Sequence, residues 1–311
     1  MPSFIKRLRA MAAATVAAVT CGAVVSGRSV GGVTLPPQPA RPPLDRGTAL
    51  VTGASSGIGR ELAVQLASRV STLVILARRA DRLQQLQSDL EARHPGLEVI
   101  SCGVDLSDED GVARMLDRIS AEIGPVDVLV NAAGVGDSAL FDRTQWSRTR
   151  QVLRTNVIAI AQLTDALLPG MVSRGRGGVL NVGSGAGLAV MPAAAAYTGS
   201  KHFIDGFSEA LRADVAGTGV VVTQVCPGPV DTEFDYVAGS AGGMTGGPPQ
   251  FLRITAEQCA REALTGFDRG AALVFPGRPY RLMMRMVLPL IPRGVLRRQA
   301  AKTALRLRIT I

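Results

Sequence analysis

Histidine is scarce: the 311-residue chain holds two, His94 and His202, too few for a multi-histidine metal centre. Its four cysteines (Cys21, Cys102, Cys226, Cys259) stand far apart with no CxxC pair, which excludes a zinc ribbon and a disulfide-built scaffold and suits a reducing compartment. Aromatic residues make up only 4%, with one Trp, and no basic stretch is interleaved with them, so nothing suggests nucleic-acid binding. Acidic residues are missing from both ends. Residues 1–44 carry five basic residues and no acid, and 278–311 carry nine and no acid. With those fourteen set aside, 45–277 holds 20 basic and 25 acidic residues, a net of −5, so the overall +9 belongs to the tails. A basic end of this kind suits an anionic surface better than a base sequence, and peripheral membrane contact is the expectation, a merely solvated tail the alternative.

What is present is apolar material, 47% of the chain, enough for a buried core. Residues 1–34 form a leader in which Lys6-Arg7-Leu8-Arg9 precedes eighteen uncharged residues, marginal in length for a span and without a clear Ala-x-Ala cleavage site. It reads as a peripheral anchor or an unstructured extension. Residues 35–46 form a proline-rich linker, 47–277 the main domain and 278–311 a basic amphipathic extension that could pack on the domain, join subunits or lie on lipid.

Within 47–277 short apolar strands alternate with helical periods. Strands are expected at 48–51, 72–76, 97–102, 126–130, 178–182, 220–225 and 272–275. Helices are expected at 57–69, 80–92, 108–123 (Ser107 as N-cap), 145–168, 195–215 and 256–266, the last opened by Thr255 and Gln258 as a capping box. Continuous apolar strands between amphipathic helices predict an α/β fold: one doubly wound domain around a parallel sheet of about seven strands.

The first strand runs into Thr52-Gly53-Ala54-Ser55-Ser56-Gly57-Ile58-Gly59, a TGxxxGxG loop opening a helix. Glycines there let backbone N–H groups approach a pyrophosphate at the positive helix end. The second strand ends Leu76-Ala77-Arg78-Arg79; an acid there would bind ribose hydroxyls, whereas Arg78 favours a 2′-phosphate. Asp105 and Leu106 fit an adenine-contacting turn, and Asn131-Ala132-Ala133-Gly134 a small-residue loop beside a cofactor. Tyr197 and Lys201, four residues apart, share one helical face. A phenol with a reference pKa of about 10 needs about 4 kcal/mol of help to give up its proton near neutrality, and a neighbouring ammonium acts in that direction.

The order TGxxxGxG, Asn131-Ala132-Ala133-Gly134, Asn156, Ser184, Tyr197, Lys201, then Pro227-Gly228-Pro229-Val230-Asp231-Thr232, resembles the short-chain dehydrogenase/reductase family over about 47–277. The resemblance implies that Tyr197 passes a proton at the substrate oxygen and that Lys201 lowers its pKa and holds the nicotinamide ribose. It further implies that Ser184 polarises the substrate oxygen and Asn156 links the relay to solvent. Pro227, Gly228, Val230 and Thr232 would embrace the nicotinamide end, and a segment at 233–250 would cover the reacting carbon. Two departures stand out: Ser56 where many NADP-preferring members carry a basic residue, and Gly199 in place of Ala. The expected protein is a cytoplasmic NADP(H)-dependent carbonyl or alcohol oxidoreductase, able to self-associate, with a lipophilic substrate suggested by Phe141, Leu188, Val190 and Met191. The alternatives are an NAD-dependent alcohol dehydrogenase of the same fold and a non-catalytic, cofactor-binding regulator at a membrane.

Overall fold

A computed structural model of the chain describes Pro42, residues 44–234 and residues 249–309. The leader, most of the proline-rich linker and the greater part of the expected covering segment lie outside the described residues.

Strand β1 (Thr48–Thr52) leads into helix α1 (Gly57–Leu66), then β2 (Thr72–Ala77), α2 (Ala80–Arg93), β3 (Glu98–Gly103), α3 (Glu109–Glu122) and β4 (Val128–Asn131). Helix α4 (Trp146–Leu153) passes through a π-turn at Arg154–Ile158 into α5 (Ala159–Ser173), followed by β5 (Gly177–Val182), α6 (Ala195–Asp214) and β6 (Val220–Val225). A two-residue pair, β7 (Val230–Asp231) and β8 (Ile254–Thr255), precedes α7 (Ala256–Asp268), β9 (Leu273–Val274), α8 (Arg278–Leu282) and α9 (Arg293–Ile309). Seven strands form one parallel sheet in the order β3-β2-β1-β4-β5-β6-β9. Sequence order therefore reverses between β1 and β4, which opens a crevice at their carboxyl ends.

Alternation along each strand fills both faces. Ala49 and Val51 of β1 face a cluster with Leu62, Leu66, Leu83, Leu90 and Phe267, whereas Leu50 faces one with Val112, Ile119, Leu163 and Leu211. All the side chains just named are buried, which is why these strands read as unbroken apolar runs. Glycine is required at Gly178 because a Cβ there would lie 2.4 Å from the Phe267 ring.

Three local expectations need correction. Asp108, not Ser107, is the N-cap of α3; Ser107 instead donates through its N–H and its hydroxyl to Asp105 Oδ1, both at 2.9 Å. Ser107 thus belongs to an Asx turn, and the helix starts one residue later than expected, at Glu109. At α7 only half a capping box forms. The Gln258 N–H donates to Thr255 Oγ1 at 3.1 Å, but the Gln258 side chain turns along the helix to Glu262. The helix expected at 145–168 runs on to Ser173 through Pro169, with the π-turn inside it.

Candidate functional site

The crevice is built from the loops after β1, β2, β4, β5 and β6. Gly53 has φ +73°, and a Cβ on it would come within 2.8 Å of Ala133 Cα, so the glycine loop and the Asn131–Gly134 loop touch backbone to backbone. Thr52 ties them together. Its buried hydroxyl accepts from Ala132 N and Ala133 N, each at 3.0 Å, and donates to Val130 O at 3.3 Å. Expected as a cofactor contact, Thr52 is a strut inside the wall, because its hydroxyl is committed to the protein. Asn131 is likewise turned inward, donating to Asn181, which donates on to Ser208, each at 2.9 Å. Ala133 and Gly134 line the loop beyond it, and Gly134 lies close to Lys201 Nζ.

Helix α1 begins at Gly57 with an extended Ser56 as N-cap, no side-chain cap and no acid in its first turn. The Ser56 hydroxyl that could have capped it accepts instead from Arg79 at 2.6 Å. The first-turn N–H groups of Gly57, Ile58 and Gly59 thus form the positive end of a helix dipole with no internal counter-charge. Gly57 faces Thr232 across the crevice, 3.2 Å from where its Cβ would be.

Arg79, to which sequence reasoning assigned no ligand role beside Arg78, reaches over the glycine loop at one end of this crevice. Its guanidinium donates to Ser55 Oγ (3.1 and 3.2 Å), to Ser56 Oγ and to Glu233 (2.8 Å). Arg82 also pairs with Glu233 at 2.8 Å, and the two arginines hold that carboxyl below its ordinary range. Arg78, the expected phosphate ligand, is exposed and has no hydrogen bond or ion pair among the described residues. One residue of register separates them: at the end of β2 successive side chains point to opposite sides, and Arg79 points at the loop. Asp105 closes its own turn through Ser107, and Leu106 is buried beside it.

The reacting end is enclosed. Lys201 is 4% exposed; its Nζ donates to Val182 O at 3.0 Å and lies 5.7 Å from the centre of the Tyr197 ring. Burial pushes its pKa down to about 8, against a weak opposing pull from Cys226. That single carbonyl acceptor, for three ammonium donors, is the one found among the described residues. Asn156, on the π-turn, is fully buried. Its Oδ1 accepts from Val135 N at 2.9 Å, and its Nδ2 donates to Val135 O at 2.9 Å and to Ser200 Oγ at 3.0 Å. Both side-chain amide protons are used inside the protein. What it does is clamp the Asn131–Gly134 loop to α6, since Ser200 Oγ donates in turn to Tyr197 O at 2.7 Å.

Ser184 caps a short turn at Gly185–Gly187 by accepting from Ala186 N at 3.1 Å, which leaves its hydroxyl proton for an outside acceptor. Gly187 packs on the α6 backbone at Lys201, where a Cβ would lie 2.5 Å from Lys201 O. Pro227 and Gly228 follow β6, with Val230 in β7 and Thr232 facing the glycine loop. Two aromatic neighbours escaped sequence reasoning. Phe234 packs on Tyr197 with ring centres 5.5 Å apart, and buried Tyr280 from α8 lies against Gly185 and Gly228. Phe234 falls within the segment expected to cover the reacting carbon, whereas Tyr280 belongs to no motif and only the tertiary fold reveals it.

These residues fit a nicotinamide dinucleotide: an uncapped helix N-terminus suits its pyrophosphate, and an ammonium with spare donors stands at the opposite end of the crevice. Similarity to known proteins agrees. Residues 47–240 match the short chain dehydrogenase family profile. An uncharacterized oxidoreductase of Myxococcus xanthus is 42% identical over 187 residues, 60% of this chain and 73% of that one. The human dehydrogenase/reductase SDR family member 7 is 31% identical over 221 residues, 68% of this chain and 64% of that protein. Among solved structures, a short-chain dehydrogenase from Sphingobium yanoikuyae in complex with NADPH superposes with a TM-score of 0.68 at 27% identity, covering 85% of this chain and 95% of its own. A Burkholderia phymatum member in complex with NAD gives 0.69 at 24% identity, over 80% and 93% respectively, a likeness of fold. Glycine loop, parallel sheet and family match converge, and the chain belongs to the short-chain dehydrogenase/reductase family, as an NAD(P)-dependent oxidoreductase.

Proposed function

We propose that this protein interconverts a carbonyl and an alcohol on a lipophilic small molecule, with NADP(H) as cofactor. The observation that carries the reading is the buried Lys201 ammonium, with donors to spare, one helical turn from Tyr197. An ammonium without a carboxylate partner is costly to bury, and the chemistry it supports is stabilisation of a phenolate and of ribose hydroxyls. When bound, the nicotinamide supplies or accepts a hydride. In the reducing direction Tyr197 Oη gives its proton to the substrate oxygen while Lys201 stabilises the phenolate left behind. The Ser184 hydroxyl donates to that same oxygen, held in place by the bond it accepts from Ala186 N. Asn156 works as a positioning residue, holding the cofactor-side loop against α6.

Arg79, supported by the neighbouring Arg78, is the proposed ligand of the 2′-phosphate, since its guanidinium already spans the two loop serines. One observation favours the NAD-dependent alternative: Glu233 neutralises both Arg79 and Arg82 and would have to yield to a phosphate. A lipophilic substrate is supported by Phe234 packed on Tyr197 and by the exposure of Phe141, Val190 and Met191. Peripheral membrane contact of a cytoplasmic protein is supported by the extension, where Leu282, Met286, Val287 and Leu290 are exposed beside Arg285, Arg293, Arg297 and Arg298.

Oxidation of NADPH and NADH, followed by absorbance against a panel of ketones, aldehydes and acyl thioesters, tests the reading. Turnover that prefers NADPH and is abolished by Tyr197→Phe, with cofactor binding intact, is expected. Cofactor binding without turnover on any member of the panel would favour the regulator instead.

A further inference from the structure

The family match ends at residue 240, yet a residue forty positions later reaches the reacting end. Tyr280 lies on α8, the first element of the basic extension, and is 4% exposed. Its ring packs edge-on to Phe275 with centres 6.2 Å apart, in a small cluster with Cys226 and Met284. Gly277 N and Arg281 both donate to Glu262 of α7, at 3.0 and 2.5 Å, and Arg281 also donates to Phe275 O at 3.0 Å, so both ends of α8 are pinned.

The ring occupies space that two glycines leave open. A Cβ at Gly228 would lie 2.7 Å from the Tyr280 ring, and one at Gly185 would lie 2.0 Å from its hydroxyl oxygen. The Pro227 carbonyl joins the two sides, accepting from Gly185 N at 3.0 Å and from Tyr280 Oη at 3.4 Å. On its other flank the same turn rests on α6, where Gly187 meets the Lys201 backbone. The turn that carries Ser184 is therefore gripped from two directions, by the helix of Tyr197 and Lys201 and by Tyr280.

We infer that Tyr280 is a positioning residue for the reaction, holding the Ser184 turn against α6 and the Pro227–Gly228 segment, so that the C-terminal extension is an integral part of the site. The contact is mainly one of shape. At 3.4 Å the hydroxyl bond is long, while the ring fills a gap that only glycine on both sides permits. This inference rests on the oxidoreductase reading for its kinetics, but not for its structural consequence.

The full-length chain with Tyr280→Phe, Tyr280→Leu and Tyr280→Ala provides the test. Amide hydrogen exchange, which needs no turnover, should show faster exchange in a peptide spanning 183–188 for the Ala and Leu variants and no change for Phe, with the rest of the sheet unaffected. With a substrate in hand, Ala and Leu should lower kcat at least tenfold with KM for NADPH within threefold, and Phe should restore kcat to within threefold of the parent. In a Ser184→Ala background, Tyr280→Leu should cost less than threefold further. Unchanged exchange at 183–188 would overturn the inference, as would a Tyr280→Leu loss that multiplies in full with that of Ser184→Ala. Failure of the oxidoreductase reading would look different: absence of turnover in the parent, with the exchange pattern still informative. If Ala does not fold, Leu, which keeps apolar bulk for the core but not the planar ring that reaches Gly185 and Gly228, carries the same comparison.

Discussion

The two ends of the crevice are held by opposite physics. At the glycine-loop end Arg79, Arg82 and Glu233 lie partly open to water and form an ion-pair cluster whose members can exchange partners. At the reacting end Asn156, Ser200 and Lys201 are buried, and each hydrogen bond runs to one fixed atom. Screened surface pairs contribute little to stability and tolerate a new ligand, whereas buried polar groups are expensive to leave unpaired and so fix geometry. On the proposed function, the difference would put cofactor choice in the adaptable half and proton chemistry in the rigid half.

The largest effect should come from the rigid half. Tyr197→Phe removes the proton carrier and should lower kcat by about 10²–10⁴-fold, read in single-turnover hydride transfer, while NADPH titration gives an unchanged Kd. Next, Asn156→Ala leaves Val135 N, Val135 O and Ser200 Oγ short of a partner, at about 1–3 kcal/mol for each group so stranded; denaturant unfolding should show the midpoint falling with the slope retained. A smaller midpoint shift than that of an exposed control such as Gln85→Ala would break the contrast between the halves.

Lys201 sharpens the comparison through pH. Its pKa is depressed to about 8 in the fold against 10.5 in the reference state, so between those values the unfolded chain binds more protons than the native one. Lys201 therefore contributes stability that rises with pH from about 8 to 10.5, while reduction that relies on its ammonium declines over the same interval. Opposite slopes for unfolding free energy and kcat, both flattened by Lys201→Met, are the expected pattern; parallel slopes would contradict it.

The adaptable half should respond more gently. Arg79→Ala is expected to raise KM for NADPH about tenfold with little change for NADH, the size of a lost charge-assisted hydrogen bond. Glu233→Gln should move KM for NADPH the other way, since it frees the arginines for a phosphate. Smallest of all, Arg308→Ala removes an exposed pair with Asp142 and should leave the melting temperature unchanged within error.

Much of the site was legible as spacing. The glycine loop and Tyr197 with Lys201 lie where strand–loop–helix periodicity puts them, because each depends on local backbone geometry, whereas Ser184 is singled out by the family resemblance. Arg78 and Arg79 show where that stops. Both are basic and adjacent, and only the facing of the chain at the end of β2 selects the one that meets Ser55 and Ser56. Thr52 and Asn156 show a second limit: a polar side chain in a motif does not declare whether it faces a ligand or the wall, and both face the wall. Ser107 is drawn into the turn closed by Asp105, one residue outside the start of α3.

The sequence by itself determined the parallel sheet, the anion-binding helix start and the phenol–ammonium pair, since periods of two and 3.6 residues and a four-residue spacing are properties of the local chain. Only the tertiary structure decided which arginine spans the loop, which polar groups serve as struts, and that Tyr280 fills the gap between Gly185 and Gly228. Those outcomes depend on contacts between segments far apart in sequence, where the shape of the space left by one segment selects the side chain from another.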